Sequence, residues 1–439
     1  MTRFSAAALV VGTILLAVAI RGAEAAPGAK TAPGGKKAPL KQSPQVAALL
    51  EEIEQLGGAV QYDAQGKVVG IDLSEGQVGD EELAKFEILQ DLETLALHGP
   101  NIRDSGVKHL VALKKLKDLT LFNTSITDQS IVALTSLPNL QSLNLRRSSR
   151  LEDASLAHLR KMPKLQYLHL LYNSFTDDGM AHLKDLGQLR LLDLRGNVQI
   201  GDAGLKQLAG LGNLRELRLR NFYITDAGLD ALRGMKSLRA IVIEDTSEIT
   251  AAGIEKIAKY LPQLEGIDLF RCAAINDDAL APLAGLRSLR RVKLRGSPVT
   301  GAALAHLKDL DKLELLDLSE CPTVGDAGTE YLKGLAGLQR LFLWQTTVGD
   351  AGLANLAGLG KLQGLSLKGT PVTDAGLPHL KGLTALSSLD LEETKVSDAG
   401  LESLAGLKNL KTLSLKFTKV SDEGIKKLQA ALPGCKISK

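Results

Sequence analysis

Aromatic residues are scarce in this 439-residue chain: eight Phe, six Tyr and one Trp, 3% of the whole. Its core therefore has to be aliphatic, since large rings are too few to fill it. Cysteine is scarcer, with three residues. An odd count that small excludes a disulfide-stapled framework. A dominant charge is also missing: 53 Lys and Arg against 50 Asp and Glu give a formal charge of +3. Nothing in that balance points to a nucleic-acid partner. No apolar run reaches the roughly 20 residues of a membrane helix. Chemistry-bearing motifs are absent too. There is no G-x-S-x-G, no Gly-rich phosphate loop, no H-E-x-x-H and no His/Cys cluster at zinc spacing. The expectation is a chain that is not an enzyme, with no cofactor, no metal and no catalytic residues.

What the chain has in abundance is one pattern. Pairs of Leu separated by one residue, with a few Ile or Val substitutions, recur fifteen times. The first pair ends at Leu73 and the last at Leu415, with 24 to 26 residues between successive pairs. A period in that range means a solenoid, in which each unit buries its apolar side only against its neighbours.

One repeat, residues 365–386, shows the logic. Leu365 and Leu367 alternate, so both point inward from a short parallel strand. Thr370 turns the chain and Val372 re-enters the core. Thr373 and Asp374 precede Leu377, Leu380 and Leu383, whose i, i+3, i+6 spacing suits one face of a short helix. Stacked units then form an α/β body with parallel strands on a concave face and short helices on the convex one.

The ends differ. Residues 1–25 read as a signal peptide: Arg3, an apolar run of 15 at residues 6–20, then Ala23-Glu24-Ala25. The expected localisation is exported: periplasmic, cell-envelope or secreted, with no membrane insertion after cleavage. An uncleaved anchor is the alternative. Residues 26–43 are a Pro/Gly/Lys linker. Residues 44–67 have helix spacing followed by a hairpin around Asp63-Ala64-Gln65-Gly66, an N-terminal cap. Residues 68–424 hold the repeats, and residues 425–439 a C-terminal cap.

The repeats resemble the leucine-rich repeat family, here a horseshoe-shaped solenoid. Ile224-Thr225-Asp226-Ala227-Gly228-Leu229 matches the I-T-D-x-G-L form shared by F-box-type leucine-rich proteins and many secreted bacterial leucine-rich repeat proteins. The resemblance runs from Val68 to about Leu432. It implies a binding role without naming a ligand.

Two recurring positions look chemical and are read as structural. Asp starts the helix in 13 of 15 repeats, Ala251 and Gly301 being the exceptions. A calcium-binding row would need G-G-x-G-x-D spacing, which is missing. Each Asp is instead expected to cap its helix. The turn position reads Thr124, Ser148, Asn173, Asn197, Phe222, Thr246, Cys272, Ser297, Cys321, Thr346, Thr370, Thr394 and Thr418. Such side chains can bond backbone groups of the next repeat, a ladder that Phe222 breaks. Cys272 and Cys321 lie two repeats apart, about 10 Å, too far for a disulfide.

The remaining strand positions are left free by the fold. There the chain places Arg146, Tyr167, Arg195, Arg218, Arg220, Phe270, Arg271, Arg291, Lys293, Arg295, Phe342 and Trp344. Arg and aromatic side chains carry most binding hot spots, so these are the candidate ligand-binding residues. The alternative is that Asp193, Glu216, Asp268 and Asp317 pair with these cations and leave a solvated face of mixed charge. The function expected is an exported, non-catalytic scaffold for a protein or other macromolecule. The rival readings are an F-box-like adaptor of ubiquitin ligation and a cell-envelope structural or carbohydrate-binding protein.

Overall fold

The computed structural model describes residues 43–439. The expected signal peptide, and the linker up to residue 42, lie outside the described residues.

Strands and short helices alternate along the whole described chain, and the strands join into one sheet of 17. The first, Ala59–Tyr62, runs antiparallel to the second, Val68–Leu73. Asp63 shapes the turn between them, its Oδ1 accepting from the backbone N–H groups of Gln65 and Lys67. Every later strand pairs parallel with the next, without crossover. Thr94–His98 lies beside Asp118–Phe122, for example, and Arg291–Lys293 beside Leu315–Asp317. The last strand, Lys436–Ser438, adds to Thr412–Ser414.

The alternation expected from sequence holds at the level of burial. In Asp118–Phe122, Leu119 and Leu121 are buried while Asp118, Thr120 and Phe122 are half-buried on the opposite side. One continuous aliphatic cluster fills the space behind the sheet, from Leu49 to Cys435. The helix Pro44–Gln55, capped by Ser43, contributes Leu49, Leu50 and Ile53 to its first layer.

The convex elements are tighter than α-helices in many repeats. Leu377–Leu380, Gly301–His306, Gly228–Gly234 and Asp278–Gly285 are 3-10 helices. The Leu spacing explains this: three residues between core contacts match the 3.0-residue turn better than the 3.6-residue one. Their N-termini hold a finding that corrects the sequence reading. The recurring Asp does not cap its own helix. In most repeats its carboxylate reaches forward to the next repeat. Asp104 accepts from Thr127 N (2.9 Å), Thr127 Oγ1 (2.7 Å) and Ser130 N (3.2 Å), all 23 to 26 residues on. Asp177 accepts from Gly201 N and Gly204 N in the same way. A helix N-terminus leaves N–H groups without partners, and here the preceding repeat supplies them. The glycine that most repeats carry two residues after the helix-start Asp follows from this contact. A Cβ on Gly204 would stand 2.5 Å from Asp177 Oδ1, and one on Gly376 2.5 Å from Asp350 Oδ1.

The turn ladder is present, but it reaches back to the preceding repeat rather than on to the next, and it is continuous where a break was expected. Asn173 Nδ2 donates to the carbonyls of Leu145 and Leu170, and Asn197 Nδ2 to those of Leu170 and Leu194. In the following repeat Asn221, not Phe222, takes the position, donating to Asn197 O at 2.7 Å. The tighter turn there brings the amide in one residue early and turns Phe222 and Tyr223 outward, 51% and 68% exposed. Cys272 and Cys321 join the ladder as weak donors to the carbonyls of Ile243 and Leu294. All three cysteines are free.

Candidate binding surface

Strand geometry sorts the solvent-facing side chains of the sheet into three rows, roughly 7 Å apart along the strands. The first row precedes the first buried Leu of each repeat and contains Tyr167 and Arg291, with Glu216 and Arg340. The second lies between the two Leu. Parallel register places Asn144, His169, Asp193 and Arg218 side by side, and further on Asp268, Lys293, Asp317, Phe342, Ser366 and Asp390. The third follows the second Leu: His98, Phe122, Arg146, Arg195, Arg220, Glu244, Phe270, Arg295, Trp344, Lys368 and Glu392.

In most repeats the chain leaves the strand through a left-handed residue just after the third row. Asn123, Arg147, Tyr172, Asp245, Arg271, Glu320, Gln345, Glu393 and Phe417 have φ between 51° and 60°. Their N–H groups continue the ladder, as when Tyr172 N donates to Arg195 O and Glu320 N to Trp344 O. This conformation costs a non-glycine residue about 1 kcal/mol. It also swings nine side chains onto the rim of the strand face.

The structure brings the third row and this rim together as a stack. At its start His98 lies on Phe122, centroids 4.7 Å apart. The Arg146 guanidinium stands 4.9 Å from the Phe122 ring and 5.5 Å from that of Tyr172, and Arg147 stands 5.3 Å from Tyr172. Arg220 Nη1 donates to Tyr172 Oη at 2.9 Å, and Arg220 Nε pairs with Asp245. Further along, Arg295 bridges Phe270 and Trp344, 5.3 and 4.8 Å from their rings. Arg271 stands 4.8 Å from Phe270 and Lys368 stands 5.6 Å from Trp344. Glu320 holds both Arg271 and Arg295, and Glu392 holds Lys368. Four buried side-chain nitrogens lack hydrogen-bond partners among the described residues: His98 Nδ1, Arg146 Nε, Arg295 Nε and Trp344 Nε1. All four are in the third row.

Between these two groups the cations are consumed internally. Arg195 grips Asp193 with Nε and Nη2 (3.0 and 2.8 Å) and Glu244 with Nη1 (2.7 Å). Arg218 pairs with Glu216 and lies 3.7 Å from Asp193, which is fully buried. Burial opposes the charge on Arg195, but the two carboxylates outweigh it and raise its pKa. Burial likewise pushes Asp193 up, and the His169 and Arg195 bonds bring it below the ordinary value. For Glu244 burial wins, and its pKa is raised despite Arg195. Lys293 pairs with Asp268. Asp317 is engaged by the Ser319 backbone N–H at 3.0 Å.

Six of the twelve sequence-derived candidates thus share the third row: Arg146, Arg195, Arg220, Phe270, Arg295 and Trp344. Arg271 joins them from the rim. Arg218, Lys293 and Phe342 lie one row away, Tyr167 and Arg291 two rows away at the opposite end of their strands. Tyr172, the ring on which three arginines converge, is absent from the sequence-derived set. It sits at the left-handed position, which carries no periodic signal. The available clue is an aromatic where all but one of the other left-handed positions carry Gly or a polar residue, Phe417 being the exception. Among the described residues no group of three or more His, Cys, Asp or Glu is set to hold a metal, and no helix is long and apolar enough to cross a membrane.

The leucine-rich repeat region family matches residues 173–432, and a second leucine-rich repeat family matches residues 138–198. No curated protein matches the chain. Among solved structures, a leucine-rich repeat protein of Leptospira interrogans is similar over 92% of this chain and 100% of its own, with 20% identity and a TM-score of 0.52. A chain from the yeast Rad7 and Elc1 complex is similar over 90% of this chain and 92% of its own, with 19% identity and a TM-score of 0.55. At these identities the likeness concerns the fold. The family match spans more than half of the sequence, and the sheet repeats with the same period throughout, so the chain belongs to the leucine-rich repeat family.

Proposed function

We propose that this protein is an exported, non-catalytic scaffold that holds a protein or other macromolecular partner against its concave face. The observation that carries the reading is the third-row stack. It presents Phe, Tyr, Trp and Arg side chains whose positions are already fixed by one another. Such residue types dominate binding energy, and fixed side chains lose little entropy on association. Fifteen repeats at strand spacing give an inner arc of roughly 70 Å, a length suited to an extended partner rather than a small molecule. The likeness of fold to a chain of the Rad7 and Elc1 complex supports partner binding as the use of such an array. Carboxylates interleaved with the cations along the face disfavour a nucleic acid. Export rests on residues 1–25, and places the scaffold in the periplasm, the envelope or outside the cell.

The test is a pull-down from envelope and culture fractions with the full chain as bait. The comparison is the double variant Arg271→Glu with Trp344→Ala. Arg271 is exposed and Trp344 lies outside the buried core cluster, so the fold should persist, as circular dichroism would register. Partners captured by the native chain and lost in the variant are the expected result. Partners retained by the folded variant would refute binding on this face.

A further inference from the structure

Cations on the concave face are mostly neutralised where they stand. Arg195, Arg218, Arg220, Arg271, Lys293, Arg295 and Lys368 each have a carboxylate within 4.0 Å. Arg146 and Arg147 differ. Among the described residues neither has a carboxylate partner, and none of their side-chain N–H groups has an acceptor. Both guanidinium groups lie on the Tyr172 ring. Burial, then the repulsion of Arg147, lowers the Arg146 pKa, so the pair is held together at an electrostatic cost.

The Tyr172 platform is itself built for this position. Its backbone is left-handed, with φ 55°. Its ring lies flat over Gly196, where a Cβ would come within 2.4 Å of Cδ1. Its hydroxyl accepts from Arg220, which leaves the hydroxyl proton free to donate. Three guanidinium groups and one phenol hydroxyl therefore converge within a span of four repeats, with His98 and Phe122 as an apolar wall.

We propose that the surface formed by Arg146, Arg147, Tyr172 and Arg220 is a docking site for a carboxylate-rich segment of a partner protein. This rests on the concave-face reading above and names the chemistry of its partner. Planar guanidinium groups bind carboxylates bidentately, and the unmet N–H groups of Arg146 and Arg147 are donors of that kind. The extent of the site sets the class. Four repeats cover roughly 15 Å from first to last strand, enough for two or three acidic side chains. Beyond it the face carries Glu244, Asp268 and Glu320, which would repel a continuous polyanion such as nucleic acid.

The experiment is fluorescence anisotropy of a labelled ten-residue glutamate peptide with the full chain at low salt. Arg146→Gln with Arg147→Gln is compared with the native chain, and Arg160→Gln on the convex side serves as the control. The expected result is peptide binding at least tenfold weaker in the double variant, unchanged in the control, and lost as salt rises. Equal binding by native chain and double variant, or no binding by the native chain, overturns the proposal. So does tighter binding of a ten-nucleotide oligothymidylate. If the peptide fails while pull-down partners are still lost on Arg271→Glu with Trp344→Ala, the concave-face reading stands and only the acidic partner falls.

Discussion

Asp104→Ala should loosen the joint between two repeats without touching either hydrophobic layer. Four donors converge on this carboxylate: Thr127 N and Oγ1, and Ser130 N and Oγ. Thr127 caps the helix Asp128–Leu134, and Ser130 is its third residue. Hydrogen bonds to a charged group contribute about 1.5–3 kcal/mol each when buried. Asp104 is only half-buried, so water recovers much of that on truncation. The loss of a helix cap costs about 0.5–2 kcal/mol. Taken together, a local cost of about 2 kcal/mol is expected, which is roughly a thirtyfold loss of exchange protection.

A solenoid opens locally, so the assay should be local too. Hydrogen exchange read by mass spectrometry on peptides covering residues 124–134 gives the protection of Ser130 and its neighbours. The molecule contains its own control. Asp128, in the next repeat, makes none of these bonds, because Glu152 and Ser155 there form a capping box of their own. Asp128→Ala should change protection in residues 148–158 by less than about threefold. The effect also has a sign in pH. Burial pushes the Asp104 carboxyl up, and the bonds from Ser130 and Thr127 outweigh it, leaving the pKa below the ordinary 3.8. A depressed carboxyl stabilises above its unfolded value and loses that contribution as pH falls through the native one. The native chain and Asp104→Ala should therefore converge as pH falls through that depressed native value. Equal loss of protection in the two Ala variants would refute the inter-repeat role of this Asp.

Two further predictions concern the strand face. Arg195→Glu should destabilise its repeats by about 3–5 kcal/mol, because it leaves the fully buried Asp193 charge facing a second carboxylate; denaturant melts matching those of the native chain would contradict this. Phe417→Gly should stabilise the C-terminal repeat by up to about 1 kcal/mol, since the left-handed residue is 79% exposed and little packing is lost; a lower urea midpoint in the variant would contradict it.

The architecture was legible because it depends on short-range facts repeated many times. Leu365 and Leu367 announce a strand, and Leu377, Leu380 and Leu383 a helix, and fifteen such units leave no other way to bury them. The joints were legible only in part. The Asp at each helix start reads as a cap, but which helix it caps depends on the distance between repeats, and no property of one repeat contains that distance. Asn221 was missed for a related reason: a turn one residue tighter shifts the ladder position, and the residue count alone puts Phe222 there.

The binding face was hardest to read, because pairing across it is decided by what lies two repeats away. Arg195 and Arg146 occupy the same row and look equivalent in sequence. One meets Asp193 beneath it and Glu244 forty-nine residues on, and is neutralised. The other meets Phe122 and Tyr172, and keeps its charge unmatched. Ring and guanidinium chemistry make that difference possible: an aromatic face attracts a cation without neutralising it. Scarcity of aromatics then has a consequence beyond the aliphatic core. Of the 15 rings in the chain, Phe122, Tyr172, Phe270 and Trp344 hold arginines on this one face. Where a carboxylate is also near, as at Glu320 beside Arg295, the stack is electrically closed. The Tyr172 cluster lacks that closing carboxylate at Arg146 and Arg147, and a partner's acidic side chain would supply it.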